Sequence, residues 1–512
     1  MNVDAEMSSD VEMEEEVGSQ RFLFFNLVPS WTVSFLTHVI ILVIFALWVL
    51  HTPPEPKVTF EASTATNDSD ADSLDIGDVD LDLPTLDSLE ESAITETQTL
   101  SEITPTELEF SEPASMATDL SMLDASPLGA VPAGAESGGG ELAARSGEGR
   151  KNAMSNGASA ESEECVDLAL EFLARHQLED GSWNFDHTVG SGNRSRRNPG
   201  QLTSARAAAT GLALMAFLGC GETHKEGRYR DTVQKGLHYL VETRGQKTTN
   251  GFSFFVADYG DNMYSHGICA IAICEAYAMT HDSWLKGPAQ GTLDFIGYAQ
   301  HPGGGWRYLP RVEPGDTSVA GWQIMAMKSG LLSGLEVDTK VLNNSKKFLD
   351  QVSIRSGAFY GYMEPPEYNN IGHHKGRTAI GLLCRMYMGW PRENPALGEG
   401  VEWLANRGPY LGSRDNPRGA DMYYNYYATQ VLRQWGGDDW KKWNEKMRDY
   451  LVESQDKDGA ERGSWYFPSG DLGSEAGGRI YCTTMAALTL EVYYRYLPIY
   501  REEVSPEKLI LD

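Results

Sequence analysis

The chain lacks most of the features that would classify it quickly. Six cysteines in 512 residues are too few for a disulfide scaffold, and no two form a C-x-x-C pair. Cys269, Cys274, Cys384 and Cys482 fall inside apolar runs and read as small core residues. Basic residues are also scarce. Against 73 Asp and Glu there are 42 Lys and Arg, a net charge of −31, which excludes a nucleic-acid surface. The deficit is local: 32 of the 73 acidic residues but only 5 of the 42 basic ones lie at or before Glu164, so the remainder is nearly neutral. The one basic cluster, Arg194, Arg196 and Arg197, stands in a Gly/Ser/Asn-rich stretch and reads as a solvated loop.

Between Lys57 and Arg145 there is no Lys or Arg, while twenty Asp and Glu are spread among Ser, Thr, Pro and Leu. Such a stretch cannot bury enough apolar area to offset its ordering entropy. Residues 51–163 are therefore expected to form a disordered acidic tether, whose ends as a coil lie roughly 55–60 Å apart. Residues 1–30 form an acidic N-terminal segment and 501–512 a tail. Charge is absent altogether from Trp31 to Leu50. Twenty residues at about 1.5 Å each span roughly 30 Å, the hydrocarbon thickness of a bilayer. Trp31 and Trp48 stand near the two ends, where interfacial aromatics belong. Residues 31–50 thus predict one transmembrane anchor. The acidic start lacks the basic region of a signal peptide, and no Ala-x-Ala site follows. Arg21 and Lys57 place one basic residue on each side, so charge does not orient the anchor. A long domain after a single N-terminal anchor is expected outside the cytoplasm, on the periplasmic side.

What the chain does have is a returning phrase. Gln177-Leu-Glu-Asp-Gly181-Ser-Trp183 comes back as Gln300-His-Pro-Gly-Gly-Gly305-Trp306, and again as Gln455-Asp-Lys-Asp-Gly459 running into Gly463-Ser-Trp465. Each copy closes one apolar helical run and precedes another. With weaker turns at Asn250-Gly251, Gly357 to Tyr362 and near Gly412, six helix pairs follow one another over residues 164–500, with a period of about 54. A helix–turn–helix unit cannot bury its apolar face alone, so the copies must stack. The second helix of each pair is the more apolar and reads as the inner one; the first carries more Lys, Glu and Arg and reads as outer. The expected fold is all-α, an (α/α)6 toroid of two concentric helix shells.

The Gln-x-x-x-Gly-x-Trp turns resemble the QW motifs of squalene and hopene cyclases. The six-pair organisation resembles the toroid of terpenoid cyclases, protein prenyltransferase β subunits and complement-type thioester domains. Anchor, tether and ring together resemble the membrane-attached prenyltransferase/squalene-oxidase-repeat proteins of planctomycete-type bacteria. The resemblance covers about residues 164–500 and speaks to fold more than to reaction. It implies a central cavity whose mouth is formed by the inner-helix starts, where unpaired N–H groups favour anions.

The residues at those starts are Arg206, Asn262, His266, Asp316, Thr317, Arg377, Thr378, Asp421, Asn425, Arg479 and Cys482. Asp316 and Asp421 read as ordinary caps. Arginine is a poor cap, so Arg377 and Arg479 are candidates for the cavity, with Trp322, Tyr424, Tyr427, Tyr481 and Cys482. Other aromatics of the inner runs are Tyr264, Tyr423, Tyr426 and Tyr466. Facing the cavity, such rings would suit a polyisoprenoid chain. As catalytic groups only Asp316, Asp421 and His266 stand out. The Asp-x-Asp-Asp acid of cyclases is missing, as is the Asp-x-Cys zinc site of prenyltransferases. Gly219-Cys220-Gly221-Glu222-Thr223 has Thr where a thioester needs Gln. No metal and no cofactor are expected. The expected function is binding of an apolar, isoprenoid, or extended, peptide-like, ligand without standard cyclase chemistry. The alternatives are a divergent cyclase or prenyltransferase and a tethered protein-interaction scaffold.

Overall fold

The computed structural model describes Arg145, Arg150 and residues 152–500, apart from 191–194, 257–259, 413–418, 469–470 and 496. The segment 1–30, the anchor 31–50, most of the tether and the tail 501–512 lie outside the described residues. Among the described residues no helix is long and apolar enough to cross a membrane.

Among these residues twelve helices alternate between two shells. In chain order they are α1 (Ala160–Arg175), α2 (Arg206–Gly219), α3 (Arg230–His238, continued by a π-helical turn Tyr239–Arg244), α4 (Met263–Thr280), α5 (Ser283–Ala299), α6 (Thr317–Leu332), α7 (Thr339–Gln351), α8 (Lys375–Tyr387), α9 (Pro395–Arg407), α10 (Met422–Trp435), α11 (Gly437–Ser454) and α12 (Leu472–Leu490). A short α13 (Val492–Arg495) follows. Antiparallel hairpins β1 (Gln246–Thr248) with β2 (Gly251–Ser253), and β3 (Ser353–Ile354) with β4 (Phe359–Tyr360), shape the second and fourth turns.

The even-numbered helices form the inner shell. α2 packs on α4, α4 on α6, α6 on α8, α8 on α10, α10 on α12, and α12 returns to α2. In the outer shell α11 returns to α1. The ring is closed. The fold is an α/α toroid. Composition explains which helix goes where. In α6 every residue from Thr317 to Gly330 is buried, so its polar atoms reach neighbouring elements for partners, as Gln323 Nε2 does in donating to the Met263 carbonyl at 2.8 Å. The outer helix α7 instead buries only a stripe, Val341, Leu342, Ser345, Phe348 and Leu349, at helical spacing.

The returning phrase builds the joints. Gln177 Nε2 donates to the Gly181 carbonyl and to Thr232 of α3, both at 2.9 Å. Gln300 repeats this with Gly304 and Val341 of α7, at 2.9 Å each. Gln455 does so with Gly463 at 3.1 Å and with Cys165 of α1 at 2.7 Å, across 290 residues of chain. Each glutamine therefore ties its own turn to the next outer helix, and the third one closes the circle. Trp183, Trp306 and Trp465 are buried, and each donates its indole N–H to an outer-helix carbonyl, of Leu173, Ile296 and Leu451, at 2.8 to 2.9 Å. Glycine is required where the turn meets the next helix. Gly304 and Gly463 hold φ near +92° and +91°, and a Cβ there would strike the carbonyl oxygens of Asn344 and Leu168.

Two expected boundaries move. The ordered ring begins before Glu164: α1 starts at Ala160, and Arg145 and Ala153, assigned to the tether, are fully buried. Arg145 Nη1 donates to Glu275 of α4 at 2.8 Å, while its Nε and Nη2 donate to the Arg495 carbonyl at 3.2 and 3.1 Å. Arg495 also meets Glu275, at 3.4 Å. This buried cluster fills the end of the ring where the inner helices finish. Burying Glu275 is tolerable only because two guanidinium groups follow it in, a dependence that a linear reading of an acidic tether does not reveal. The sixth inner helix is led by a helical turn from Leu472 and kinks at Gly478, whose φ of 54° and ψ of −151° are non-helical, so its regular run begins at Arg479, two residues before the expected Tyr481.

Candidate functional site at the mouth of the ring

The inner helices start together at the opposite end, and their caps set the site. Asp316 caps α6, its Oδ1 accepting the N–H groups of Ser318 at 2.6 Å and Val319 at 3.3 Å. Its other oxygen is buried facing the Tyr308 and Tyr362 hydroxyls. Four phenols surround this carboxylate, those of Tyr264, Tyr308, Tyr362 and Tyr423, and its charge opposes the ionisation of each. Burial raises the pKa of Asp316 above the usual carboxylate range. The Ser318 N–H, the Tyr362 hydroxyl and the Arg377 guanidinium pull part of the way back.

Tyr308 and Tyr362 come from the third and fourth turns, and their main chain holds them in place. The Tyr308 carbonyl accepts the Met263 N–H at 3.0 Å, and the Tyr362 carbonyl accepts the Thr317 N–H at 3.1 Å. Each turn thus satisfies an orphan donor at the start of the preceding inner helix. The two hydroxyls meet at 2.5 Å. Tyr264 stacks on Tyr308, centroids 6.0 Å and planes 25° apart. Arg377 covers Tyr362 at 5.2 Å. These four tyrosines and Arg377 are half-buried and form a rim. Below it lies a floor of fully buried rings. Trp322 of α6 lies over Tyr426 and edge-on to Tyr427 of α10, at 6.1 and 5.9 Å.

A second acid adjoins the rim. Asp471 caps α12 through Gly473 at 2.8 Å and also accepts the first N–H groups of α10, Met422 at 2.9 Å and Tyr423 at 3.2 Å. The Tyr481 hydroxyl reaches both its oxygens at 3.3 Å. Burial and the neighbouring Asp421 push its pKa up, against the pull of its backbone donors and the Tyr481 hydroxyl. Asp421 caps α10 through Tyr424 at 2.9 Å and pairs with Lys375 at 2.9 Å, whose ammonium lies 4.4 Å from the Tyr410 ring. Two helix starts share these two carboxylates.

The sequence-derived candidates divide. Asp316, Arg377, Trp322, Tyr427, Asp421 and Tyr481 gather at the mouth or on the axis. Tyr424, Arg479, Cys482 and His266 instead point between the shells, a correction to their expected place in a cavity. Tyr424 donates to the Gly408 carbonyl at 3.1 Å and packs against Trp443. Arg479 clamps its own turn, meeting Asp456 at 2.6 Å and Ser464 at 2.8 Å; Arg206 does the same for Asp180 and Ser182 in the first repeat. Cys482 lies 3.2 Å from Ser474, with its thiol pushed up to about 12 by burial. His266 replaces a threonine. Thr210, Thr378 and Thr483 accept the turn N–H of Trp183, Tyr360 and Trp465; in the second repeat His266 Nδ1 accepts that of Phe254 at 3.3 Å. Its Nε2 then donates to the Thr292 carbonyl at 3.1 Å, and burial lowers its pKa to about 4.

His266, Asp421 and Cys482 are thus held by separate partners, which does not fit a shared zinc ion, and among the described residues no three potential ligands gather. Tyr308, Tyr362 and Asp471 are mouth residues that sequence reasoning missed. The two tyrosines stood in view as parts of the turns; Asp471 was hidden by the glycines after it.

No family model and no curated protein matches this chain. Solved structures do align with it. An α-1,6-mannanase of Salegentibacter sp. is 11% identical over 65% of this chain and 99% of its own, with a TM-score of 0.45. A type II terpene cyclase of Scytonema, in complex with merosterolic acid A, is 12% identical over 65% and 96%, with a TM-score of 0.42. Cellobiose 2-epimerase of Bacillus thermoamylovorans is 12% identical over 67% and 97%, with a TM-score of 0.44. Identities this low say nothing about chemistry. The assignment as an α/α toroid rests on the closed ring itself.

Proposed function

We propose that the protein is a membrane-tethered toroid that takes an extended ligand at the mouth formed by its inner-helix starts, without standard cyclase chemistry. The observation that carries this reading is the pairing of a half-buried tyrosine rim with a ring axis occupied by Trp322, Tyr426 and Tyr427. A long chain cannot be swallowed past stacked rings, whereas the rim offers partly exposed aromatic side chains to an isoprenoid or a peptide. The anchor 31–50 would hold the ring at a bilayer, on the periplasmic side, with the tether as a spacer.

The test is calorimetric titration of the full chain in nanodiscs with geranylgeraniol and with a short extended peptide. Binding lost in Tyr264→Ala and kept in Tyr298→Ala, on the outer surface, supports the reading; no binding of either overturns it. Turnover of squalene or a prenyl diphosphate that Asp316→Asn abolishes would establish the divergent-enzyme alternative instead. Protein partners captured equally by a Tyr264→Ala variant would establish the scaffold alternative. Resistance of the full chain to carbonate extraction checks the anchor.

A further inference from the structure

The outer shell is not uniform. Outer helices face water and carry charge, yet α5 holds two charged residues, Lys286 and Asp294, where α7 beside it holds four. Of the seven large hydrophobic side chains exposed among the described residues, Tyr298 stands at the end of α5, and Leu309 and Val312 stand on the turn after it. That turn is tied back to α5: the Arg311 N–H donates to the Ala299 carbonyl at 2.8 Å, and its guanidinium lies 5.3 Å from the Tyr298 ring.

Beside Tyr298 a groove of about 310 Å³ opens between α5 and α7. Leu293, Tyr298 and Val341 supply its apolar walls; Asp294, Glu336 and Asp338 supply its charge. No Lys or Arg lines it, and none of the three carboxylates forms an ion pair among the described residues. Gln290 fixes the shape. Its Nε2 donates to Asp294 at 3.0 Å and to the Glu336 carbonyl at 2.9 Å, and its Oε1 accepts the Glu336 N–H at 2.9 Å. The groove is therefore formed before anything binds, which spares an occupant the cost of ordering it. Gly297 leaves room in it: a Cβ there would already stand 3.3 Å from Val341.

Uncompensated carboxylates beside apolar walls suit an occupant that is basic and partly apolar. Lys and Arg meet both demands, with an alkyl stem for the walls and a cationic head for the carboxylates. The chain's own tether cannot fill the groove, since between Lys57 and Arg145 it has no Lys or Arg and twenty acidic residues. An anionic bilayer surface would be repelled in the same way.

We propose that the groove between α5 and α7 docks a basic, extended segment of a partner protein. Its Lys or Arg heads pair with Asp294, Glu336 and Asp338, and an apolar residue between them packs on Leu293, Tyr298 and Val341. The site lies on the outer shell and is independent of what the mouth takes.

The experiment uses the full chain in nanodiscs of neutral phosphatidylcholine. A labelled short peptide of alternating arginine and leucine, and its twin with glutamate for arginine, are titrated by fluorescence anisotropy. Three variants are compared with wild type. Glu336→Lys reverses one charge, Tyr298→Ala removes one wall, and Gly297→Leu fills the groove at constant charge. The expected result is that the arginine peptide binds and its twin does not. Added salt weakens the binding, and each variant weakens it about fivefold or more. Geranylgeraniol titrated into the same samples reports on the mouth and should not change with these variants. No binding of the arginine peptide overturns the inference. So does binding that survives Tyr298→Ala and Gly297→Leu, because the acidic tether or general attraction then collects the peptide. Should Gly297→Leu fail to fold, Tyr298→Ala, at an exposed side chain, decides.

Discussion

Trp322 lies over Tyr426 with ring centroids 6.1 Å apart and planes inclined by 17°. The two belong to α6 and α10, separated in the inner shell by α8, so their stacking spans the axis of the ring. It gives the torus a floor. Removing the indole should cost stability as any large core deletion does. Trp322→Ala is expected to lose about 3–5 kcal/mol in denaturant unfolding. The same variant should admit a hydrophobic dye that the wild type refuses, which a purely local packing defect on the outer shell would not do.

Gln455 is the seam of the circle. In Gln455→Leu the Cys165 and Gly463 carbonyls lose a shared donor in a buried place, at a cost of about 1–3 kcal/mol. Chemical denaturation checks this. The equivalent Gln300→Leu should cost a similar amount, since it loses the same two bonds.

Arg145 predicts where the folded unit starts. Arg145→Ala should destabilise by about 3–5 kcal/mol, because Glu275 stays in a dry site with one guanidinium fewer. The double variant with Glu275→Gln should recover part of the loss. Equal stability of wild type and Arg145→Ala in thermal unfolding would show the contact to be dispensable.

Glu491 sets a pH dependence. Burial pushes its pKa to about 8, against the pull of Arg495 and the Cys220 thiol, from an ordinary carboxylate value in the unfolded chain. The folded protein therefore holds a proton that the unfolded chain has released. Its stabilising contribution is fully present below the ordinary carboxylate pKa and is lost as pH rises through about 8. Stability is expected to fall from the ordinary carboxylate value of 4.5 up to about pH 8 and to level off above it, and Glu491→Gln should flatten that fall, each tenfold change in proton affinity being worth about 1.4 kcal/mol. Urea midpoints measured across this range decide it.

His266 tests the assignment of a structural role. His266→Thr restores the residue that three other repeats use and should cost about 1 kcal/mol, the loss of the bond to Thr292. His266→Leu leaves the Phe254 N–H unmatched as well and should cost more. A large loss of ligand binding in His266→Thr, with stability kept, would restore it as a site residue.

Periodicity alone made the ring readable. The returning Gln, Gly and Trp positions and the contrast between apolar and charged runs determine six helix pairs, because a helix apolar on all sides has nowhere to go but inside. Asp316 was recognisable as a cap for the same reason: capping is local, and the residues it bonds are two and three positions away. Which side chains share the mouth was decided in three dimensions. Tyr308 and Tyr362 lie 54 residues apart and meet through their hydroxyls; Arg145 and Arg495 lie 350 apart. Tyr424 and Tyr427 look alike in sequence, yet three residues along α10 turn one toward the outer shell and the other toward the axis. Burial, not residue type, sets which carboxylates have their pKa raised, and burial exists only once the ring has closed.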